Sequence, residues 1–173
     1  MLDFETGDVD TLEGYRNEFY FNYYHVKFSK DLYFHSTNFQ QSITYYNVNS
    51  SDSGVIANKW QLNSGRQDYN IDRFSCAWHP DKNVLYMANP YTGIHYSSVD
   101  KQNVVRIKKY CDNIKYHEIT ISGDGRYIFA LRAKYEYSSV SPVGSYDGWL
   151  YRHDEIVRMD IDGCNEEVVY KGY

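Results

Sequence analysis

Apolar side chains in this chain alternate with polar ones over short runs, and polar turn residues break the runs apart. A period of two is the signature of half-buried strands. Three such segments can be superimposed. The first runs from His25 through Phe28, Ser29-Lys30-Asp31 and Phe34. The second runs from Ser75 through Trp78, His79-Pro80-Asp81 and Met87. The third runs from Glu118 through Ile121, Ser122-Gly123-Asp124-Gly125 and Ala130. Each predicts a strand, a tight turn and a second strand, with Pro and Gly supplying the turn conformations. A third strand follows in each case: Ile43–Asn49, Ile94–Asp100 and Ile156–Asp162, all starting on Ile and closing on Asn or Asp. Fourth strands are predicted at Val55-Ile56-Ala57, Val104–Ile107 and Val168-Val169-Tyr170. No helical period runs through the chain, so the expected class is all-β.

The anchors Phe28, Trp78 and Ile121 recur at the roughly 40–50-residue interval of a β-propeller blade. Ile121–Ala130 resembles the first hairpin of TolB-like (WD40-like) propeller repeats, and Glu155–Asn165 resembles their outer hairpin. Phe74–Asp81 is similar to the same first strand, with Lys82-Asn83 where the family has a single Gly; Ser29-Lys30-Asp31 departs most. The resemblance implies a β-propeller of about three four-stranded blades, over 20–66, 69–110 and 113–173. Leu2–Val9 is similar to the segment joining third and fourth strands, which implies an N-terminal half-blade over 1–14. A partial ring leaves open sheet edges. The expected partner is therefore the rest of a larger propeller or a second copy that closes the ring, besides a protein or carbohydrate ligand.

Composition narrows the function classes. A net charge of −5 argues against a broad nucleic-acid surface, which needs clustered Lys and Arg. No run approaches the ~20 apolar residues that span a bilayer. The N-terminus MLDFETGDVD has no basic-then-apolar leader, so the default expectation is cytoplasmic. Cys76, Cys111 and Cys164 lie far apart and show neither metal spacing nor a disulfide framework. The 20 tyrosines suit strands, where the ring covers the pleat and the hydroxyl stays wet.

The candidate site is a long insertion over 133–154 in the last repeat, expected as a loop on the face where second strands pass to third strands. It carries Tyr135, Tyr137, Tyr146, Trp149, Tyr151, Arg152 and His153 among Ser, Gly and Pro. Aromatics with an Arg and a His suit a sugar or peptide pocket, and they also suit packing of the loop on its own blade or on a neighbouring subunit. No G-x-S-x-G elbow, phosphate loop or H-E-x-x-H pair is present. Asp160-x-Asp162-Gly163-x-Asn165 places its Gly too early for a calcium loop and reads as a hairpin turn. No catalytic residue, metal ligand or cofactor is expected, and the function expected is a non-catalytic binding or scaffold propeller. The resemblance also admits an enzyme's propeller, either oligogalacturonate-lyase-like or the gating domain of a prolyl-oligopeptidase-like peptidase. Propeller lyases collect metal-binding His residues from several blades, so the scattered His25, His35, His79, His95, His117 and His153 remain compatible with that alternative.

Overall fold

The computed structural model describes residues 29–31, 33–38, 42–62, 74–109, 111, 113–137 and 149–172. The half-blade expected at 1–14, the strand expected ahead of Ser29 and the segment 138–148 lie outside the described residues.

Alternating apolar runs fold into three antiparallel sheets in which strand order follows chain order. The first sheet holds β1 (Tyr33–Asn38), β2 (Ser42–Asn47) and β3 (Ser53–Asn58). The second holds β4 (Ser75–Trp78), β5 (Val84–Asn89), β6 (Gly93–Ser98) and β7 (Val105–Lys109). The third holds β8 (Ile114–Ile121), β9 (Tyr127–Tyr137), β10 (Trp149–Asp160) and β11 (Glu167–Lys171). One helical turn, α1 (Lys59–Leu62), follows β3. Asn58 and Gln61 cap it reciprocally, each side-chain oxygen accepting the other's backbone N–H at 2.9 Å, the capping-box arrangement. A four-residue turn is too short to leave a periodic trace in sequence.

Strand alternation decides how the sheets stack. Along β5, Leu85 and Met87 join Ile43, Tyr45 and Ile56 of the first sheet in one buried cluster. Tyr86 and Ala88, one position out of phase, join Ile119, Ile128, Val157 and Met159 of the third sheet in a second cluster. The middle sheet is thus apolar on both faces and sandwiched between its neighbours. Burying one Leu, Ile or Met side chain stabilises a fold by about 1.5–3 kcal/mol, so these two seams carry most of the cohesion.

The turns between first and second strands share one device. In the first sheet the Tyr33 N–H donates to Ser29 Oγ at 3.1 Å. In the second the Asp81 N–H donates to His79 Nδ1 at 3.1 Å. In the third the Tyr127 N–H donates to Ser122 Oγ at 2.9 Å. These three residues occupy one repeat position, and each holds its own turn. The first two also reach forward. The Ser29 hydroxyl donates to Asn83 Oδ1 at 2.8 Å, and the buried His79 ring lies so close to Gly125 that a Cβ there would sit 2.4 Å from Cε1. Gly125 has φ +68, a conformation glycine adopts freely and other residues do not.

The structure differs from the sequence expectation over 133–154. The arms of that insertion are strand, because β9 continues to Tyr137 and β10 begins at Trp149, paired Trp149 to Tyr137. The aromatic residues there are good strand formers and prolong the pairing. The Ser, Gly and Pro residues are confined to 138–148.

Candidate functional site

Chain reversal sorts the turns to two ends of the stack. Turns from first to second strands and from third to fourth strands lie at one end. The β5–β6 turn, the end of β9 and the start of β10 lie at the other.

At the second end the β5–β6 turn is built by Asn89. Its Oδ1 accepts the Tyr91 N–H at 2.8 Å and its carbonyl accepts the Thr92 N–H at 3.3 Å. Gly93, with φ 96, closes the turn. This fixes Tyr91 beside the third sheet. The Lys115 ammonium of β8 lies 5.3 Å from the Tyr91 ring centre and 5.0 Å from that of Tyr135 on β9. All three residues are half-buried, so a cation is held between two aromatic faces that belong to different sheets. Such contacts are worth about 0.5–2 kcal/mol each, more as water is excluded. Beneath the turn, Asn89 Nδ2 and Thr92 Oγ1 are buried without a protein partner, the circumstance in which proteins retain ordered water.

Of the residues singled out in the sequence, Tyr135 belongs to this cation–aromatic group. Arg152 stands opposite it in register, Tyr151 opposite Glu136, and the exposed His153 opposite Lys134. Tyr137 and Trp149 are register partners one step further along. Tyr146 lies outside the described residues. Lys115 was absent from the sequence expectation, and Tyr91 entered it only within the Asn89–Gly93 connection, expected on the same face as the insertion. The available signal was that Tyr91 sits in the same class of connection as the insertion.

The opposite end carries a cleft of about 550 Å³ lined by His79, Asp81, Lys82, Asp124, Arg126 and Asp162, among others. Several of its polar groups hold turns. Asp124 Oδ1 accepts from the Ser122 hydroxyl at 2.6 Å and from the Arg126 N–H at 3.1 Å. Asp162 Oδ1 accepts the Cys164 N–H at 2.9 Å, and His79 Nδ1 is committed to Asp81. Burial, then the nearby Lys82 charge, lowers the His79 pKa against the opposing pull of Asp81 and the Gly125 backbone. A neutral imidazole accepting at Nδ1 fits that shift. This end is a structural knot of turns.

The seam between the second and third sheets holds an ion network. Arg132 forks between Glu155, with Nε to Oε2 at 3.0 Å, and Glu166. Glu166 Oε2 also accepts from the Tyr116 hydroxyl at 2.7 Å and from Lys108 Nζ at 3.0 Å. Burial pushes the Glu166 pKa up, but those hydrogen bonds and the two cations outweigh it and leave the carboxyl below its ordinary value. Burial, with the hydrogen bond to Glu166, pushes the Tyr116 hydroxyl up. Stacking thus joins Lys108 of β7 to Glu166 in the β10–β11 connection, which Tyr116 of β8 and Arg132 of β9 hold in place.

No family model matches the chain, and no curated protein sequence matches it. Solved structures do. An oligogalacturonate lyase in complex with manganese matches with a TM-score of 0.55 at 12% identity, over 90% of this chain and 40% of that one. An oligogalacturonate lyase from Vibrio parahaemolyticus matches with a TM-score of 0.50 at 11% identity, over the same shares of the two chains. The fold is all-β and propeller-like. The chain spans about two fifths of the length of the solved structures it matches. Because one of them holds manganese, the donor set here matters. Among the described residues no three of His, Cys, Asp or Glu come together as metal ligands would. His79 is committed to its turn, and His95 is buried on β6. The described residues therefore do not form such a site.

Proposed function

We propose that this chain is a segment of a TolB-like propeller that binds a carbohydrate through the end carrying the second-to-third-strand connections. The observation that supports this reading is the Lys115 ammonium held between Tyr91 and Tyr135, beside the hairpin that brings Tyr137, Trp149, Tyr151 and Arg152. A sugar ring stacks on an aromatic face, and an ammonium recognises an acidic sugar's carboxylate. The oligogalacturonate named for both structural neighbours makes acidic oligosaccharides the first ligand to test. Titration calorimetry with trigalacturonate on the 173-residue chain tests it. Binding weakened at least tenfold by both Lys115→Met and Tyr135→Leu supports the reading, and no binding, or binding indifferent to both changes, sinks it.

The structural likeness favours one second reading, that the chain is part of the propeller of an oligogalacturonate-lyase-like enzyme. Release of unsaturated uronate from oligogalacturonate, assayed with and without added manganese, tests that version. Absence of product in both conditions contradicts it.

A further inference from the structure

A row of polar side chains runs through the seam between the first and second sheets. On β5 and β6 the register pairs Asn89 with Gly93, Met87 with His95 and Leu85 with Ser97. Alternation puts these pairs on one face of the sheet, and Leu85 and Met87 place that face against the first sheet. Asn89, His95 and Ser97 are at most 3% exposed, as is Thr92 in the turn beyond them. Asn89 Nδ2, Thr92 Oγ1, His95 Nδ1 and Ser97 Oγ have no hydrogen-bond partner among the described residues. The large majority of buried polar side-chain atoms are hydrogen-bonded, so four unmet ones on one hairpin call for a partner.

The other repeats show that this arrangement belongs to the second sheet. Aligned third strands place His95 with Thr44 and Val157, and Ser97 with Tyr46 and Met159. In the third sheet Val157 and Met159 are fully buried in the seam that faces the second sheet. In the first sheet Thr44 and Tyr46 are half-buried, and Thr44 Oγ1 donates to the Tyr46 hydroxyl at 3.3 Å. The second sheet combines burial with polar atoms that no described group meets. It also fills less space there. Ser97 stands where the third sheet packs the larger Met159, and Gly93, buried at the head of the row, has no side chain. Room and several converging polar atoms are the conditions under which proteins retain internal water. Exposure of at most 3% leaves no mouth for an organic ligand, and one His among Asn, Thr and Ser is a poor donor set for a transition metal.

We infer that the seam between the first and second sheets binds a row of internal water molecules, bridging Ser97 and His95 and continuing to Asn89 and Thr92 beneath the turn that carries Tyr91. The waters are part of the joint between the two sheets, supplying the partners that the first sheet does not. This inference stands independently of the carbohydrate reading.

Oxygen-17 magnetic relaxation dispersion, which detects long-lived internal waters, tests it. His95→Val combined with Ser97→Met installs the pair that the third sheet carries at these positions. In this double variant, verified as folded by far-UV circular dichroism and a cooperative melt, the dispersion amplitude should fall by the signal of at least one internal water per chain. An amplitude equal to that of the wild-type chain overturns the inference. A high-resolution crystal structure of the unaltered chain tests it without any substitution. Ordered water within hydrogen-bond distance of His95 Nδ1 and Ser97 Oγ is expected, and a dry seam, or a side chain of this chain bonded to those two atoms, overturns the inference.

Discussion

Gly125→Ala is a stringent perturbation of the β8–β9 turn, where the third sheet abuts His79 of the second. Two costs can be separated. Gly125 has φ +68, and placing an L side chain in that region costs about 1–2 kcal/mol. The new Cβ would also meet His79 Cε1 at 2.4 Å and Nε2 at 2.7 Å, inside any real contact distance. His79 cannot easily give way, because it is buried and held by the Asp81 N–H. Overpacking of this kind costs about 1–3 kcal/mol. The sum is about 2–5 kcal/mol, a large share of the roughly 5–15 kcal/mol that stabilises a typical domain. Only the second cost depends on the imidazole. In a His79→Ser background, which installs the residue found at the equivalent positions Ser29 and Ser122, Gly125→Ala should cost about 1–2 kcal/mol. Urea unfolding of the four proteins gives the cycle, with an expected coupling of about 1–3 kcal/mol. If the two changes add without coupling, the ring does not press on Gly125 and the described contact between the sheets is wrong.

Three further outcomes follow from the buried groups. His95 is 3% exposed, and burial, aided by Arg106, lowers its pKa to about 4. The unfolded chain therefore takes up a proton below about pH 6.5 that the folded chain refuses, so stability should fall by roughly 3 kcal/mol as pH drops from 6.5 to 4; His95→Gln should flatten that part of the urea-measured profile. Glu166 has the opposite chemistry and the same sense: its depressed folded pKa gives stability that is present above the ordinary carboxylate pKa and lost as pH falls through the lower folded value, so Glu166→Gln should remove an acid-limb component of the same profile. Arg132→Met leaves Glu155 and Glu166 without their shared cation and should cost about 3–5 kcal/mol in urea unfolding at pH 7, whereas a loss under 1 kcal/mol would show that the network is not locked in solution.

The repeat was legible because period-two alternation and turn chemistry are local. Ile94–Asp100 predicts β6 nearly to the residue, and Ser75–Trp78 predicts β4. The same alternation placed Ile43, Ile94 and Ile156 in equivalent positions before any contact was known. The extent of the last hairpin was not legible. Tyr135, Tyr137, Trp149 and Tyr151 lie beside a Ser-, Gly- and Pro-bearing stretch, and composition alone does not show where pairing stops. Contacts between sheets were also beyond reach. Nothing in spacing links Lys115 to Tyr91, or Glu166 to Tyr116 and Lys108, because stacking of separate repeats brings them together. His79 shows both sides of this: its role in its own turn follows from its repeat position, but its pressure on Gly125 needs the neighbouring sheet.

The central claim is that three sheets stack face to face with the middle one shared between two separate cores. Methyl nuclear Overhauser effects in a chain labelled at Ile, Leu, Val and Met test it most directly. Two networks are expected, one linking Ile43 and Ile56 with Leu85 and Met87, the other linking Ile94 with Ile119, Ile128, Val157 and Met159. Leu85 and Met87 should fall in the first and Ile94 in the second, although β5 and β6 are neighbours. A single merged network, or cross-peaks confined within each sheet, would contradict the stacked arrangement.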